Sequence, residues 1–178
     1  MNDKSAISSL VLRIFNVDAA WFVRVFGMDW SVLAAGLRRR WLTNNLVKDV
    51  ARLTPDSCFS IDTFDLVLSS KASESLEILD RLTASQPSGD NRATEKLTFG
   101  ILGWFYKHID DYDDPLAIVE SLYFEFDHPP AMRRFIRYQP PDDGWEPSLH
   151  SYQENIDQIF ALFQRYVSDG CARFQLNI

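Results

Sequence analysis

The side chains best suited to chemistry lie in one segment, residues 138–150, which is called the connector below. It holds the carboxylates of Asp142, Asp143 and Glu146 and the imidazole of His150. Such groups can exchange protons with a substrate, so an enzyme that uses these four residues is one hypothesis. The sequence has no nucleophile elbow, P-loop or glycine-rich dinucleotide motif, however. We therefore favour a binding role over an enzymatic one and expect no cofactor.

A second acidic cluster, residues 110–114, directly follows His108 and Ile109 and could be taken for a metal site. An EF-hand loop is excluded, because Tyr112 would occupy its third position and Pro115 its sixth, where glycine is needed. None of the three histidines belongs to an HExxH or HxH motif. Carboxylates also favour the positive end of a helix dipole. We interpret the cluster as a helix end followed by a helix start and expect no metal.

The connector itself reads as a stiff loop. Three prolines restrict its backbone, and Asp-Asp-Gly at residues 142–144 favours a turn because glycine accepts a positive φ. A long, rigid loop in a compact domain is more often a recognition surface than filler. We predict that the connector binds a protein partner through these residues: Tyr138, Pro140, Pro141, Asp142, Asp143, Gly144, Trp145, Glu146 and His150.

Trp145, near the middle of the connector, has two interpretations. It could pack on the core and fasten the connector, because tryptophan side chains are mostly buried in folded proteins. It could instead stay exposed between carboxylates and anchor a protein interface. The first interpretation is favoured, and the second is kept.

The charge distribution limits the possible partners. The chain has a net charge of −7; residues 1–53 hold eight Lys/Arg against four Asp/Glu, whereas residues 54–178 hold ten against twenty-one. An acidic body disfavours nucleic acids and anionic membranes and favours a basic partner. Two groups of arginines are therefore interpreted as solvated or ion-paired: Arg38-Arg39-Arg40, and Arg133-Arg134 with Arg137. The first group is expected on one helix, with at least one arginine near the buried edge.

The cysteines and the N-terminal residues indicate a cytoplasmic protein. Cys58 and Cys171 are far apart in sequence and form no disulfide framework. The first residues show no secretory pattern. The apolar stretch 6–26 is interrupted by Arg13, Asp18 and Arg24 and is too polar to span a bilayer.

Helical periodicity runs through nearly the whole chain and predicts a single compact all-α domain of about eight or nine helices. The helices could be arranged as stacked hairpins. We divide the chain into an N-terminal helical extension (1–27) and a helical domain (28–178).

Residues 59–68 would fit a strand by alternation or a helix capped by Asp62. A helix is favoured because no other strand is available for pairing.

Several residues predict where helices begin, end and bury their side chains. Residues 85–91 are predicted to form a loop, and the helix after it, apolar nearly all round and including Trp104 and Phe105, should lie at the centre of the domain. Pro129-Pro130 should open a short helix. Trp30, Leu33, Leu37 and Trp41 should share one buried helix face. The predicted caps are Thr43, Thr94, Asp114 with Pro115 behind it, and Ser151 paired with Glu154, and Gly170 is the predicted stop of the last helix.

The connector also carries a resemblance to a known family. Tyr138-Gln-Pro-Pro-Asp-Asp-Gly-Trp-Glu-Pro-Ser-Leu-His-Ser with Glu154-Asn155, the stretch 114–127, and Asp29-Trp-Ser-Val-Leu-Ala-Ala-Gly-Leu resemble the uncharacterised bacterial family called domain of unknown function 2247. The likeness covers roughly residues 29–170. One departure is Tyr-Gln-Pro-Pro where the family pattern has Tyr-Met-Pro-Pro.

The resemblance implies no established activity, so function is inferred by analogy. Small acidic helical proteins of this kind resemble the immunity proteins that block bacterial toxins. Many such toxins are basic, which agrees with the charge, since opposite charge speeds association. We expect a non-enzymatic protein-binding domain, with an immunity-type inhibitor as its leading form. An enzyme and a helical scaffold in a larger assembly are the alternatives.

Overall fold

A computed structural model describes residues 10–84, 89–141 and 144–178, without the side chain of Arg13. Asp142, Asp143 and residues 85–88 of the predicted loop lie outside the described residues. Within them the fold is all-α, as predicted, and contains no strand. The helices are α1 (Leu10–Ile14), α2 (Ala19–Phe26), α3 (Trp30–Arg38), α4 (Asn44–Arg52), α5 (Ile61–Leu68), α6 (Ala72–Thr83), α7 (Asp90–Lys107), α8 (Pro115–Glu125) and α9 (Tyr152–Arg173), with 3-10 turns at Asp56–Cys58, Ile109–Asp111, Pro130–Phe135 and Pro147–Leu149.

Three of the predicted helix caps are confirmed. Thr43 accepts a hydrogen bond from the Leu46 N–H over 3.1 Å, and Asp114 accepts one from Ala117 over 3.0 Å. Pro115 then takes the first position of α8, where its missing N–H costs nothing. Ser151 and Glu154 form the predicted capping box at the start of α9. These caps could be predicted because each depends on residues only three positions apart.

The segment 59–68 contains a helix, Ile61–Leu68, and no strand, but Asp62 does not cap this helix. Ser60 is the N-cap and accepts a hydrogen bond from the Thr63 N–H over 3.2 Å. Asp62 instead forms a salt bridge with Arg81 of α6, with a nitrogen–oxygen distance of 2.8 Å. The carboxylate therefore ties α5 to its neighbour instead of starting α5.

Two predicted helix boundaries are wrong. α7 begins at Asp90, so Asp90 and Asn91 of the predicted loop are helical. Thr94 therefore lies inside α7, and its hydroxyl donates to the Asp90 carbonyl over 2.7 Å. Gly170 does not end α9, which continues to Arg173. A Cβ atom on Gly170 would lie 2.0 Å from a ring carbon of Phe99. The glycine thus permits two helices to approach closely.

The arginine triplet is not helical throughout. α3 ends at Arg38, Arg39 is its C-cap, and Arg40 has a positive φ of 59°. Trp41, predicted to continue the helical face, is buried beyond the helix end. Arg38 forms salt bridges with Asp80 and Asp90, so the ion-paired interpretation is confirmed for this residue.

α7 is the central helix, as predicted. It packs on α3 on one side and on α9 on the other. Phe105 is fully buried, whereas Trp104 is half-buried. Beyond α3 lies α6, and α5 packs chiefly on α4 and α6 at the edge of the domain. The opposite edge consists of α9, the predicted short helix at Pro130–Phe135, which is a 3-10 turn, and the connector.

The described part of the N-terminal extension is helical and joins the main core. α1 packs on α8, and α2 packs on α4. Val11, Phe15 and Phe22 are buried in the same hydrophobic cluster as the later helices. A domain boundary at residue 27 stays a prediction. Among the described residues, no helix has both the length and the apolar composition needed to cross a membrane.

Candidate functional site

The connector is tied to α8 at its beginning. Arg137, the residue just before it, forms two hydrogen bonds with the Glu120 carboxylate, over 2.8 and 3.0 Å. A third bond, of 3.1 Å, joins Arg137 to Asp114 at the start of α8. The bonds to Glu120, followed by those to Asp114, hold the pKa of Arg137 above its ordinary value. The guanidinium therefore stays charged and fixes where the connector begins.

Trp145 fastens the middle of the connector to α9. Its indole N–H donates to the Asn155 side-chain oxygen over 2.7 Å, and its ring stacks on the His150 imidazole with 3.8 Å between centroids. The Asn155 amide donates in turn to the Pro147 carbonyl over 3.0 Å. This geometry corresponds to the favoured interpretation of Trp145, an aromatic side chain that fastens its own loop.

The capping box closes the far end of the connector. The Glu154 carboxylate accepts hydrogen bonds from the Ser151 N–H and the Ser151 hydroxyl, each over 2.7 Å. These bonds, with a smaller contribution from the charge of His150, lower the pKa of Glu154. Because the Glu154 carboxylate is exposed, these hydrogen bonds contribute little to stability. They nevertheless orient the first turn of α9 below the connector.

A small groove lies between the connector and α9. Its volume is about 210 Å³. The walls are mainly apolar, with polar groups at a few points, and consist of Arg134, Ile136, Arg137, Gln139, Pro141, Trp145, Pro147, Tyr152, Asn155, Ile156, Gln158, Ile159 and Leu162. Ligand pockets for small molecules usually have volumes of roughly 300–1,000 Å³. The groove is thus better suited to one large side chain than to a whole substrate or cofactor.

Two large side chains near the groove are directed to solvent. Leu149 is 73% exposed, and Tyr152, which also lines the groove, is 75% exposed. Farther along, Tyr138 stacks on Phe124 of α8, and both rings are more than half exposed. The connector therefore presents apolar surface on its outer side although its central tryptophan is turned inward.

The predicted site residues have different positions in the structure. Pro140, Pro141, Gly144 and Glu146 are exposed, as is Tyr138, while Trp145 and His150 are half-buried and in contact. Glu146 forms no salt bridge within the described part of the chain. Asp142 and Asp143 of the enzymatic hypothesis lie outside the described residues. The described residues contain no group of three or more potential metal ligands.

Sequence reasoning gave no site role to three residues that hold the connector, although the ion-paired interpretation of Arg137 is confirmed. Asn155, Arg137 and Glu120 supply the bonds that position the connector, and their partners are ten to twenty-three residues distant in sequence. No local spacing rule indicates such pairs. Asn155 and Glu120 lie in stretches that resemble the family, and this resemblance is the one available signal for them.

The comparisons with known proteins agree with that resemblance. The family model described as an uncharacterized protein conserved in bacteria, domain of unknown function 2247, matches residues 22–170. No curated protein and no solved structure matches the chain. The matched region includes α3 to α8, the connector and most of α9. The chain belongs to the family of domain of unknown function 2247.

Proposed function

We propose that this chain is a non-enzymatic protein-binding domain of the immunity type, which binds and blocks a basic bacterial toxin with its connector. The observation that carries the proposal is a connector fastened at Arg137, Trp145 and Ser151 over a groove of about 210 Å³. A surface that is ordered before association loses less conformational entropy when it binds. The stiffness of the connector has a direct use in recognition.

The size of the groove supports a protein ligand. Interfaces gain most of their energy from a few side chains that fill pockets on the partner. The apolar walls formed by Ile156, Ile159 and Leu162 would accept one such side chain. Arg134 and Arg137 also line the groove, so the inserted side chain should be apolar rather than basic. The exposed side chains of Leu149 and Tyr152 would enlarge the same contact.

The charge of the chain supports a basic partner. With a net charge of −7, the chain would attract a cationic protein over several ångströms and disfavour nucleic acid. Glu146, exposed on the connector, would contact basic residues around the inserted side chain. Cys58 and Cys171 are both free thiols, which agrees with action in the reducing cytoplasm.

The test compares two matched surface variants in a pull-down and a growth assay. The connector variant Leu149→Ser/Tyr152→Ser removes exposed apolar side chains near the groove, and Phe64→Ser removes one from α5 at the opposite edge. Wild type and Phe64→Ser should capture the same basic protein from native lysate, and the connector variant should not. Wild type should also relieve the growth inhibition caused by the captured protein.

Each contrary result has a defined meaning. Equal capture by both variants would remove the connector from the interface. Capture of a protein that is not toxic would support a scaffold instead of an inhibitor. Turnover of a small substrate that is lost in Glu146→Gln or His150→Gln would support the enzymatic alternative.

A further inference from the structure

The edge of the domain opposite the connector carries an apolar stripe on α5. Ile61, Phe64 and Leu68 are 80%, 51% and 61% exposed. They lie at positions i, i+3 and i+7 and so share one face of the helix. The other face of α5, with Thr63 and Leu66, is buried toward α4 and α6. The three exposed side chains are called the α5 stripe below.

The fold does not require the α5 stripe. The burial of Leu66 and Thr63 and the salt bridge between Asp62 and Arg81 already attach α5 to its neighbours. Single exposed apolar residues are common on protein surfaces, but a contiguous row on one helix face usually marks an interaction site. Phe59, just before the helix, is also more than a third exposed. This edge therefore presents more apolar surface than solubility favours.

Two exposed carboxylates flank the stripe. Asp65 lies beside it, one helical turn after Ile61, and Asp56 lies in the turn before α5. The nearby cation of Lys71 interacts with Glu74. Neither aspartate forms an ion pair within the described residues, in contrast to Asp62. A ligand that covers the stripe would bring its own charges close to these two carboxylates. Charge complementarity then requires cationic groups beside its apolar ones.

We propose that the α5 stripe docks an amphipathic, positively charged helix of another protein. Apolar side chains at i, i+3 and i+7 are the spacing by which helices pack on one another. Lysines or arginines flanking the apolar row of the incoming helix would pair with Asp56 and Asp65. This inference is independent of the proposed function, because α5 lies at the opposite edge from α9 and the connector.

Charge argues against two other occupants. A second copy of this chain would bring two bodies of net charge −7 together. In a symmetric contact the Asp65 carboxylates would also approach each other, and like charges in close contact cost free energy. An anionic membrane surface would be repelled by the same carboxylates. A cationic protein helix meets both the apolar and the acidic character of the face.

The experiment uses a synthetic helical peptide as the probe. The peptide contains leucine at i, i+3, i+4 and i+7 over about five turns, with lysine elsewhere and a fluorescent label. Its control has the same composition in scrambled order. Fluorescence anisotropy should show saturable binding of the ordered peptide to the wild-type chain. The variant Phe64→Ser/Leu68→Ser should bind at least about tenfold more weakly, as expected for the loss of two central apolar contacts.

Two matched variants locate the surface and its charge. Leu53→Ser, which changes an exposed leucine at the end of α4, should leave the affinity unchanged. Asp56→Asn/Asp65→Asn should weaken binding at low salt and flatten its dependence on salt concentration. Circular dichroism should show unchanged helicity in all variants, since only exposed side chains differ.

Other results would overturn the proposal. Equal affinity of wild type and Phe64→Ser/Leu68→Ser, or equal binding of the scrambled peptide, would show that the stripe is not recognised. Sedimentation that reveals a dimer lost in Phe64→Ser/Leu68→Ser would assign the face to a second copy. Binding to vesicles of phosphatidylserine and phosphatidylcholine that depends on Phe64 would assign it to a lipid surface.

Discussion

The two edges of this domain differ in which side chains they expose and in how their backbone is held. At the α5 edge a regular helix faces solvent with Ile61, Phe64 and Leu68. At the connector edge an irregular segment turns its tryptophan inward and is held by Asn155 and Arg137. A helix satisfies its own backbone hydrogen bonds, so its outer face can carry any side chain. A loop lacks this regular set of internal backbone hydrogen bonds, so other parts of the protein must supply hydrogen bonds that hold it.

The two edges also differ in how far contacts within the fold explain their side chains. Most of the contacts of Trp145 and Asn155 are explained by the need to order the connector. The α5 stripe is explained by no contact within the described residues, because its side chains project away from the core. In the two proposals, the connector edge combines structural and recognition roles in one segment, whereas the α5 edge places these roles on opposite faces of one helix.

The largest expected effect compares two phenylalanines. Phe105→Ala in the central helix α7 should lower the free energy of unfolding by roughly 3–5 kcal/mol, because its side chain is fully buried. Phe64→Ala on the α5 stripe should change it by no more than about 0.5 kcal/mol. Urea denaturation of both variants tests this. A loss above about 1 kcal/mol at Phe64 would mean that the stripe contributes to the core.

A second substitution tests the packing beneath the connector edge. Gly170→Ala should destabilise the fold by roughly 1–3 kcal/mol, because the new methyl group would overlap the Phe99 ring. Helix propensity alone predicts the opposite sign, since alanine is favoured over glycine by about 0.5–1 kcal/mol inside a helix. The sign of the change in melting temperature therefore distinguishes the two predictions. A higher melting temperature would contradict the close contact between α9 and α7.

Gly170 also marks what sequence could and could not predict. The caps at Thr43, Asp114 and Ser151 were predicted correctly, because a cap depends on residues three positions apart. Gly170 resembled a helix stop by composition, but its role depends on Phe99, seventy-one residues earlier. Thr94 resembled a cap, but α7 begins at Asp90, after the N-cap Gly89, which has no side chain to form a capping bond.

The candidate site shows the same limit. The inward position of Trp145 could be predicted from the usual burial of tryptophan, and the rigidity of the connector stays a prediction from its prolines. The acceptor on Asn155 and the anchor at Arg137 could not, since they arise from tertiary proximity. Whether an apolar residue of α5 is buried also depends on its neighbours in space. Leu66 and Leu68 are chemically alike, yet one is buried and the other is exposed.

The third prediction concerns the bond that fastens the connector. Trp145→Phe keeps an aromatic ring beside His150 but removes the N–H that donates to Asn155. We expect a loss of about 1 kcal/mol in unfolding free energy, the usual net contribution of one hydrogen bond. Asn155→Ala should cost as much or more, because it also removes the donor to the Pro147 carbonyl.

The double variant provides the control for this bond. If the indole N–H and the Asn155 oxygen act as a pair, Trp145→Phe/Asn155→Ala should cost less than the sum of the single variants in urea denaturation. Strict additivity would contradict the pairing. It would also reduce the contrast between the two edges, since the connector would then lack its main tie to α9.

The smallest expected effect compares a glutamate at each edge. Glu154 at the start of α9 and Glu74 near the start of α6 both accept hydrogen bonds from nearby N–H groups. These bonds to Ser151 and to Ser70, respectively, lower the pKa of each carboxyl from its ordinary value of 4.5. Side-chain NMR titration should give midpoints below that value for both. A midpoint at or above it would contradict the cap at that edge.

The sign of the pH dependence follows from the lowered pKa values. A carboxyl whose pKa is lower in the folded state stabilises the fold above its unfolded pKa and loses that contribution as the pH falls through its folded pKa. Glu154→Gln and Glu74→Gln should therefore each reduce the loss of stability between neutral pH and about pH 3, because glutamine keeps a cap that does not titrate. His150→Asn should raise the titration midpoint of Glu154 and leave that of Glu74 unchanged, since only the connector places an imidazole beside its cap. Equal shifts at both glutamates would mean that the charge of His150 acts through the whole fold and not locally at the connector edge.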